Sequence, residues 1–280
     1  LDNAKTGIVL RGGAGTLVTD CTIARNNSGI DQDGYGGIAV LACCASLKWN
    51  TIENNQCSGI YADEASSLEI HGNLIRENRE GIQLALTSDV TIQNNTITET
   101  IDGLVIEEGS SPEITCNIVW NNGNATDLVV NGGYDRLEFN DVGTTNLPGL
   151  PPTNISQDPQ FKDPATDDYS LAETSPCIDD TDLGDEGRDI TGATRPLGDT
   201  WDMGAYESPG YADLDGDKMP DWWEWRIIDY DTSDTITSFE QVIGTDDFDG
   251  DGVDNWNEWL NGTDPTTNIV VAITNPAENP

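Results

Sequence analysis

Gly59-Ile60-Tyr61-Ala62, Gly81-Ile82-Gln83-Leu84 and Gly103-Leu104-Val105-Ile106 write one phrase three times, Gly-apolar-x-apolar, at steps of 22 residues. Gly7-Ile8-Val9-Leu10 and Gly37-Ile38-Ala39-Val40 carry it upstream at steps of 30 and 22, and Asp127-Leu128-Val129-Val130 follows 24 residues later. A second phrase keeps the same beat: Asn50-Thr51-Ile52, Asn73-Leu74-Ile75, Asn95-Thr96-Ile97, Asn117-Ile118-Val119 and Asn140-Asp141-Val142. Ile70, Ile92 and Ile114 form a third set, again 22 apart. Three short apolar runs per repeat, each broken by Gly, Asn or Ser, predict a coil of three strands and not a pair of helices.

One such coil cannot bury its apolar residues alone. Stacked coils can, because each pairs in parallel with the next at about 4.8 Å, so about six coils make a rod of roughly 30 Å. Equivalent Ile residues then form interior columns. Asn50, Asn73, Asn95, Asn117 and Asn140 fall at one bend in every coil, where a buried amide can donate to one neighbour and accept from the other. Cys21 holds that position in its own coil. The long first step implies an eight-residue insertion near Asp31–Gly36, expected as a lateral loop.

This pattern resembles the right-handed parallel β-helix repeat of extracellular and surface proteins, over about residues 7–145 of domain 1–145. The resemblance implies an all-β fold, a right-handed parallel β-helix, and says little about function: polysaccharide lyases, hydrolases, epimerases, adhesins and structural rods all share it. The chain opens in mid-coil at Leu1, which reads as a cropped N-terminus.

Residues 146–209 lose the beat and turn rich in Pro, Asp and Gly. Asp158-Pro159-Gln160-Phe161, Ser175-Pro176-Cys177-Ile178-Asp179 and Asp202-Met203-Gly204-Ala205-Tyr206-Glu207 are similar to a segment that follows surface β-helices in bacteria and archaea. That resemblance implies a cap over the last coils, which an exposed end needs to avoid edge pairing. Asp179, Asp180, Asp182 and Asp185 within it make either a further cation cluster or a solvated acidic loop.

The tail, 210–267, is where chemistry concentrates. Asp213-x-Asp215-x-Asp217-x-x-x-Asp221-x-x-Glu224 sets side-chain oxygens at loop positions 1, 3, 5, 9 and 12, and Asp247-x-Asp249-x-Asp251-Gly252-x-x-Asn255-x-x-Glu258 repeats the pattern. Alternate spacing wraps carboxylates around one point, the carbonyl of Met219 or Val253 adds an oxygen, and the last Glu reaches in from a helix start. That donor set suits Ca²⁺, a hard cation taking six to eight oxygens. With Gly262-Thr263-Asp264-Pro265, the tail resembles thrombospondin type 3 and dockerin-like calcium repeats, a small loop-helix region, and the ten side chains are the ligands that the resemblance implies, the Met219 and Val253 carbonyls being added by their loop position. Lys218 departs from the usual Gly at position 6, so the first loop is expected to be the weaker. Five of the eight Trp fall here, read as a small core around the ions in preference to a sugar platform. Ile269–Thr274, in segment 268–280, reads as the opening strand of an immunoglobulin-like module.

Charge excludes several classes. The chain has 51 acidic and 12 basic residues, net −39, which rules out nucleic acid and anionic membrane surfaces as partners. No apolar run reaches the roughly 18 residues of a membrane span. A single histidine, His71, leaves no multi-histidine metal site. Six cysteines in a secreted-looking chain predict disulfides, with Cys43, Cys44 and Cys57 close enough for a local bridge and Cys116 a buried free thiol. No catalytic set is legible. His71, Arg76 and Arg79 share one coil, and surface charge on an Asn-rich turn explains them more simply than catalysis. The reading is a secreted or cell-surface protein, a rod with a calcium-rigidified stalk in a structural or adhesive role, with other copies of itself or an extracellular polysaccharide as partners. A carbohydrate-active enzyme (lyase or glycoside hydrolase) and a calcium-dependent glycan-binding module are the alternatives.

Overall fold

The computed structural model describes residues 5–13, 15–26, 35–123, 126–181, 183, 187–197, 200–208, 215–217, 219–228, 230, 236–261 and 263–268, without the side chains of 66, 221, 222, 260 and 261. Most of the expected lateral insertion and the strand expected at Ile269–Thr274 lie outside the described residues. The chain forms two compact units, Leu1–Gly210 and Tyr211–Pro280.

The first unit is a parallel solenoid of three six-stranded sheets, one strand per coil in each. Sheet A stacks Ile8–Arg11, Ile38–Leu41, Ile60–Asp63, Glu80–Ala85, Asp102–Ile106 and Leu128–Val130; sheet B runs from Thr16–Thr19 to Arg136–Glu138, and sheet C from Thr22–Ala24 to Asp141–Val142. The 22-residue beat becomes register. In sheet A, Ile38, Ile60, Ile82, Leu104 and Leu128 sit above one another; in sheet B, Leu47, Ile70, Ile92, Ile114 and Leu137 do the same. Ile52, Ile75, Ile97, Val119 and Val142 complete the set in sheet C. All fifteen are buried in one continuous core, each worth about 1.5–3 kcal/mol against exposure.

A triangular coil needs sharp corners, and single left-handed residues supply them. Asp20, Trp49, Gly72, Asn94, Cys116 and Phe139 all have φ between 53° and 63° at the B–C corner. The residue that follows each is Cys21, Asn50, Asn73, Asn95, Asn117 or Asn140. Along this column each Asn Oδ1 accepts from the backbone N–H of the preceding rung, from Asn50→Asn73 through Asn117→Asn140, at 2.9–3.0 Å. Each Nδ2 donates onward to the next Oδ1 and back to a strand carbonyl. The column therefore satisfies corner groups that would otherwise be orphaned in the core. A second column, unread in the sequence, follows the corner after sheet C. Arg25, Asn54, Glu77, Glu99 and Asn121 are left-handed there, and Asn26, Asn55, Asn78, Thr100 and Asn122 come next, with the same bonds linking Asn26 to Asn55, Asn55 to Asn78 and Thr100 to Asn122.

The closing segment does more than cap. Asn154 adds a further rung beneath Asn140, and Leu147 and Leu150 pack against the core. The chain then returns along the flank, past a hairpin of Phe161–Asp163 with Asp168–Leu171. Gly204 N donates to Cys116 O, Ala205 N to Thr96 Oγ1, and Gln93 to Leu183 O. Trp49, two coils from the N-terminal end, donates its indole N–H to Arg188 O at 2.9 Å.

The cysteines correct an expectation. No disulfide joins any of the six, the expected local bridge among Cys43, Cys44 and Cys57 included. Cys21 turns to Thr19 O, Cys116 is buried against Thr181 Oγ1 at 3.3 Å, and Cys177 donates to Asp141. Cys43 is buried in the hydrophobic core.

Candidate metal centre

The second unit is built around Met219, Trp223, Ile227, Ile228 and Val242, all buried, with Phe248, Trp256 and Trp259 packed on them. Two helices contribute, α1 (Asp221–Ile228) and α2 (Asn255–Asn261). Three of the tail tryptophans thus serve the core, while Trp225 is 51% exposed with its edge toward Phe239.

In the second loop, carboxylate oxygens of Asp247, Asp249 and Asp251 lie within 4.8 Å of one another. The turn that draws them together is made by backbone donors. Asp247 Oδ1 accepts from Gly250 and Asp251, and its Oδ2 from Gly252; Asp249 Oδ1 accepts from Asp251, and Asp251 Oδ1 from Val253. Gly250 and Gly252 take φ of 75° and 98°, which a Cβ would oppose. Glu258 approaches from α2, whose first turn is capped by Asp254 through Asn257 N. Its side chain is 1% exposed, and its Oε2 and the Oδ2 of Asp249 are buried without a hydrogen-bond partner. Burial first, then the charges of Asp249, Asp251 and Asp247, lift the Glu258 carboxyl to about 7. Asp249 is lifted as well, by burial and by Asp251 and Asp247. Converging carboxylates with buried, unused oxygens fit a hard divalent cation, which would relieve their repulsion and complete an oxygen shell.

Asn255, expected at position 9, makes two hydrogen bonds through its side-chain amide. Its Oδ1 accepts from Phe248 N and its Nδ2 donates to Ile243 O at 3.0 Å, so the amide pins the loop to α2. Val253, expected to contribute its carbonyl, is 36% exposed.

In the first loop, Asp215, Asp217 and Glu224 bring carboxylate oxygens within 4.8 Å of one another. Glu224 is fully buried, and Asp217 Oδ1 accepts from Met219 N at 2.8 Å. The Met219 side chain is in the core. Asp213, Lys218 and the Asp221 side chain lie outside the described residues. In the closing segment, Asp179 Oδ1 accepts from Thr200 N, and Asp182 and Asp185 are outside the described residues.

The lateral cluster is not surface charge on a turn. Arg76 is 8% exposed and bridges Glu53 and Asp167, each at 2.6 Å, with its guanidinium over the Tyr169 ring. It ties the returning segment to the rod. His71 is buried edge-on to Trp49, and only Arg79 is exposed, 3.3 Å from Glu80. The partner Asp167 is 91 residues from Arg76 in sequence, so a reading coil by coil had no signal for it.

Three parallel sheets, one strand of each per coil, with Asn columns at the corners, define a β-helix. The chain belongs to the right-handed β-helix family: residues 1–142 match the family described as "Right handed beta helix region". No curated protein and no solved structure matched the chain.

Proposed function

We propose that this is a calcium-binding β-helix protein of the cell surface or extracellular medium, with a structural or adhesive role. The observation that carries the metal is the second loop: three carboxylates within 4.8 Å, joined by Glu258, whose buried Oε2 has no hydrogen-bond partner. An all-oxygen, anionic donor set on a turning loop favours Ca²⁺ over softer cations. The structural role is supported by where the lateral charges are spent, since Arg76 holds the flank together. Calcium here orders the small second unit, because bringing carboxylates together without it costs repulsion. At about 100 times the dissociation constant, binding stabilises that unit by about 2.7 kcal/mol.

The test is calorimetric titration of chelator-treated protein with Ca²⁺, alongside thermal unfolding. Saturable binding is expected, with a higher transition temperature for the second unit and an unchanged one for the solenoid. Glu258→Gln should weaken the tighter site about tenfold or more. Absence of binding heat and of any thermal shift would refute the metal reading. Particle size measured with and without Ca²⁺ tests self-association.

A further inference from the structure

The seam between the rod and its returning segment carries aromatic rings flanked by carboxylates, and two of these stations are filled by the protein's own cations. At the first, the Arg188 guanidinium lies 4.1 Å from the centre of the Trp49 ring and pairs with Asp20. At the second, Arg76 lies 5.5 Å from the Tyr169 ring centre and pairs with Asp167 and Glu53. A third station lies beside the second. Its lining includes Trp120 at the end of a sheet C strand, Phe161 and Tyr169 from the returning hairpin, and the carboxylates of Glu99 and Asp158. The cleft holds about 400 Å³, and among the described residues none that lines it is Lys or Arg.

The ingredients match the two filled stations. Trp120 and Phe161 are half-buried and both line the cleft. Glu99 is positioned by the Tyr169 hydroxyl, which donates to its Oε2 at 2.7 Å, and Asp158 by Gln160 N, which donates to its Oδ1 at 2.9 Å. Arg76, behind Tyr169, is already neutralised by Glu53 and Asp167 and so does little to repel a second cation. We propose that this cleft takes a guanidinium or alkylammonium group from an external ligand. A cation there gains the ring face and two carboxylates in one place, while the same carboxylates and the net negative chain reject anions. The site exists only because the returning segment completes it. It does not depend on the calcium reading.

The test uses the full chain saturated with Ca²⁺, titrated with methylguanidinium and with the peptide Gly-Arg-Gly, followed by NMR; glucose and acetate are the comparators. Saturable binding is expected, with a dissociation constant on the order of 1 mM at low salt. It should weaken about threefold or more when ionic strength is raised tenfold. Asp158→Asn, at an exposed position where the amide oxygen can still accept from Gln160 N, should weaken it about fivefold, and Trp120→Leu should weaken it further. Peptide binding tighter than methylguanidinium assigns the ligand to a protein side chain, and equal binding assigns it to a free small cation. Lack of saturation would overturn the proposal. So would glucose binding equally well without salt dependence, or Asp158→Asn binding as tightly as the parent.

Discussion

Replacing Asn95 by Ala removes the central rung of the corner column, and the structure allows the cost to be worked out. Asn95 is fully buried. Its Oδ1 accepts from Asn73 N at 3.0 Å and Asn73 Nδ2 at 2.9 Å, and its Nδ2 reaches Ile70 O, Gln93 O and Asn117 Oδ1 at 2.9–3.0 Å. The substitution orphans one buried donor, the Asn73 N–H, at about 1–3 kcal/mol, while Asn73 Nδ2 keeps Leu47 O and His71 O; it also withdraws three donations worth about 0.5–1.5 kcal/mol each. A water entering the vacated volume offsets part of this. The working figure is about 4 kcal/mol lost. Asn154→Ala, at the part-exposed end of the same column, should cost about 1 kcal/mol because solvent replaces the lost partners. Urea unfolding of the solenoid, with the slope against denaturant unchanged, measures both. A loss below about 1 kcal/mol for Asn95→Ala, or equal losses at the two positions, would refute the view that the column stabilises the corners by buried hydrogen bonding.

Two further outcomes follow from the returning segment. Arg76→Met should strand Glu53 and loosen the hairpin; because Asp167 is well exposed, the expected loss is about 2 kcal/mol and not the full cost of breaking a buried pair. Limited proteolysis near residues 161–171 should then become faster, and unchanged protection would count against the bridge. The second concerns pH. Burial, and then Glu207, lifts Asp202 to about 8, while burial lifts Glu207 to about 7 against the opposing pull of Arg195. Carboxyls of the unfolded chain titrate near 4, so between about pH 4 and 8 the folded state holds more protons and stability must fall as pH rises. Hydrogen exchange over residues 200–208 should accelerate from pH 5 to 8 beyond its intrinsic trend, and Asp202→Asn should flatten the response. Protection that holds or improves toward pH 8 would contradict the sign.

The amino-acid sequence alone determined the solenoid, because parallel stacking in register demands the same kind of residue at the same angle in every coil. That demand is written as Ile60, Ile82 and Leu104, or Asn73, Asn95 and Asn117. The second column was less legible: Thr100 interrupts the run of Asn55, Asn78 and Asn122 although its hydroxyl makes an equivalent bond. The acidic loops were equally local, since alternate carboxylates and a turning glycine lie within twelve residues. Their depth was not, and only the packing of α2 buries Glu258. What tertiary structure decided is the flank. Trp49 meets Arg188 across 139 residues and Arg76 meets Asp167 across 91, through an aperiodic segment that takes its path from the rod it lies against. Periodic contacts repeat their signal in the sequence many times; a contact made once, between distant segments, leaves no pattern to read.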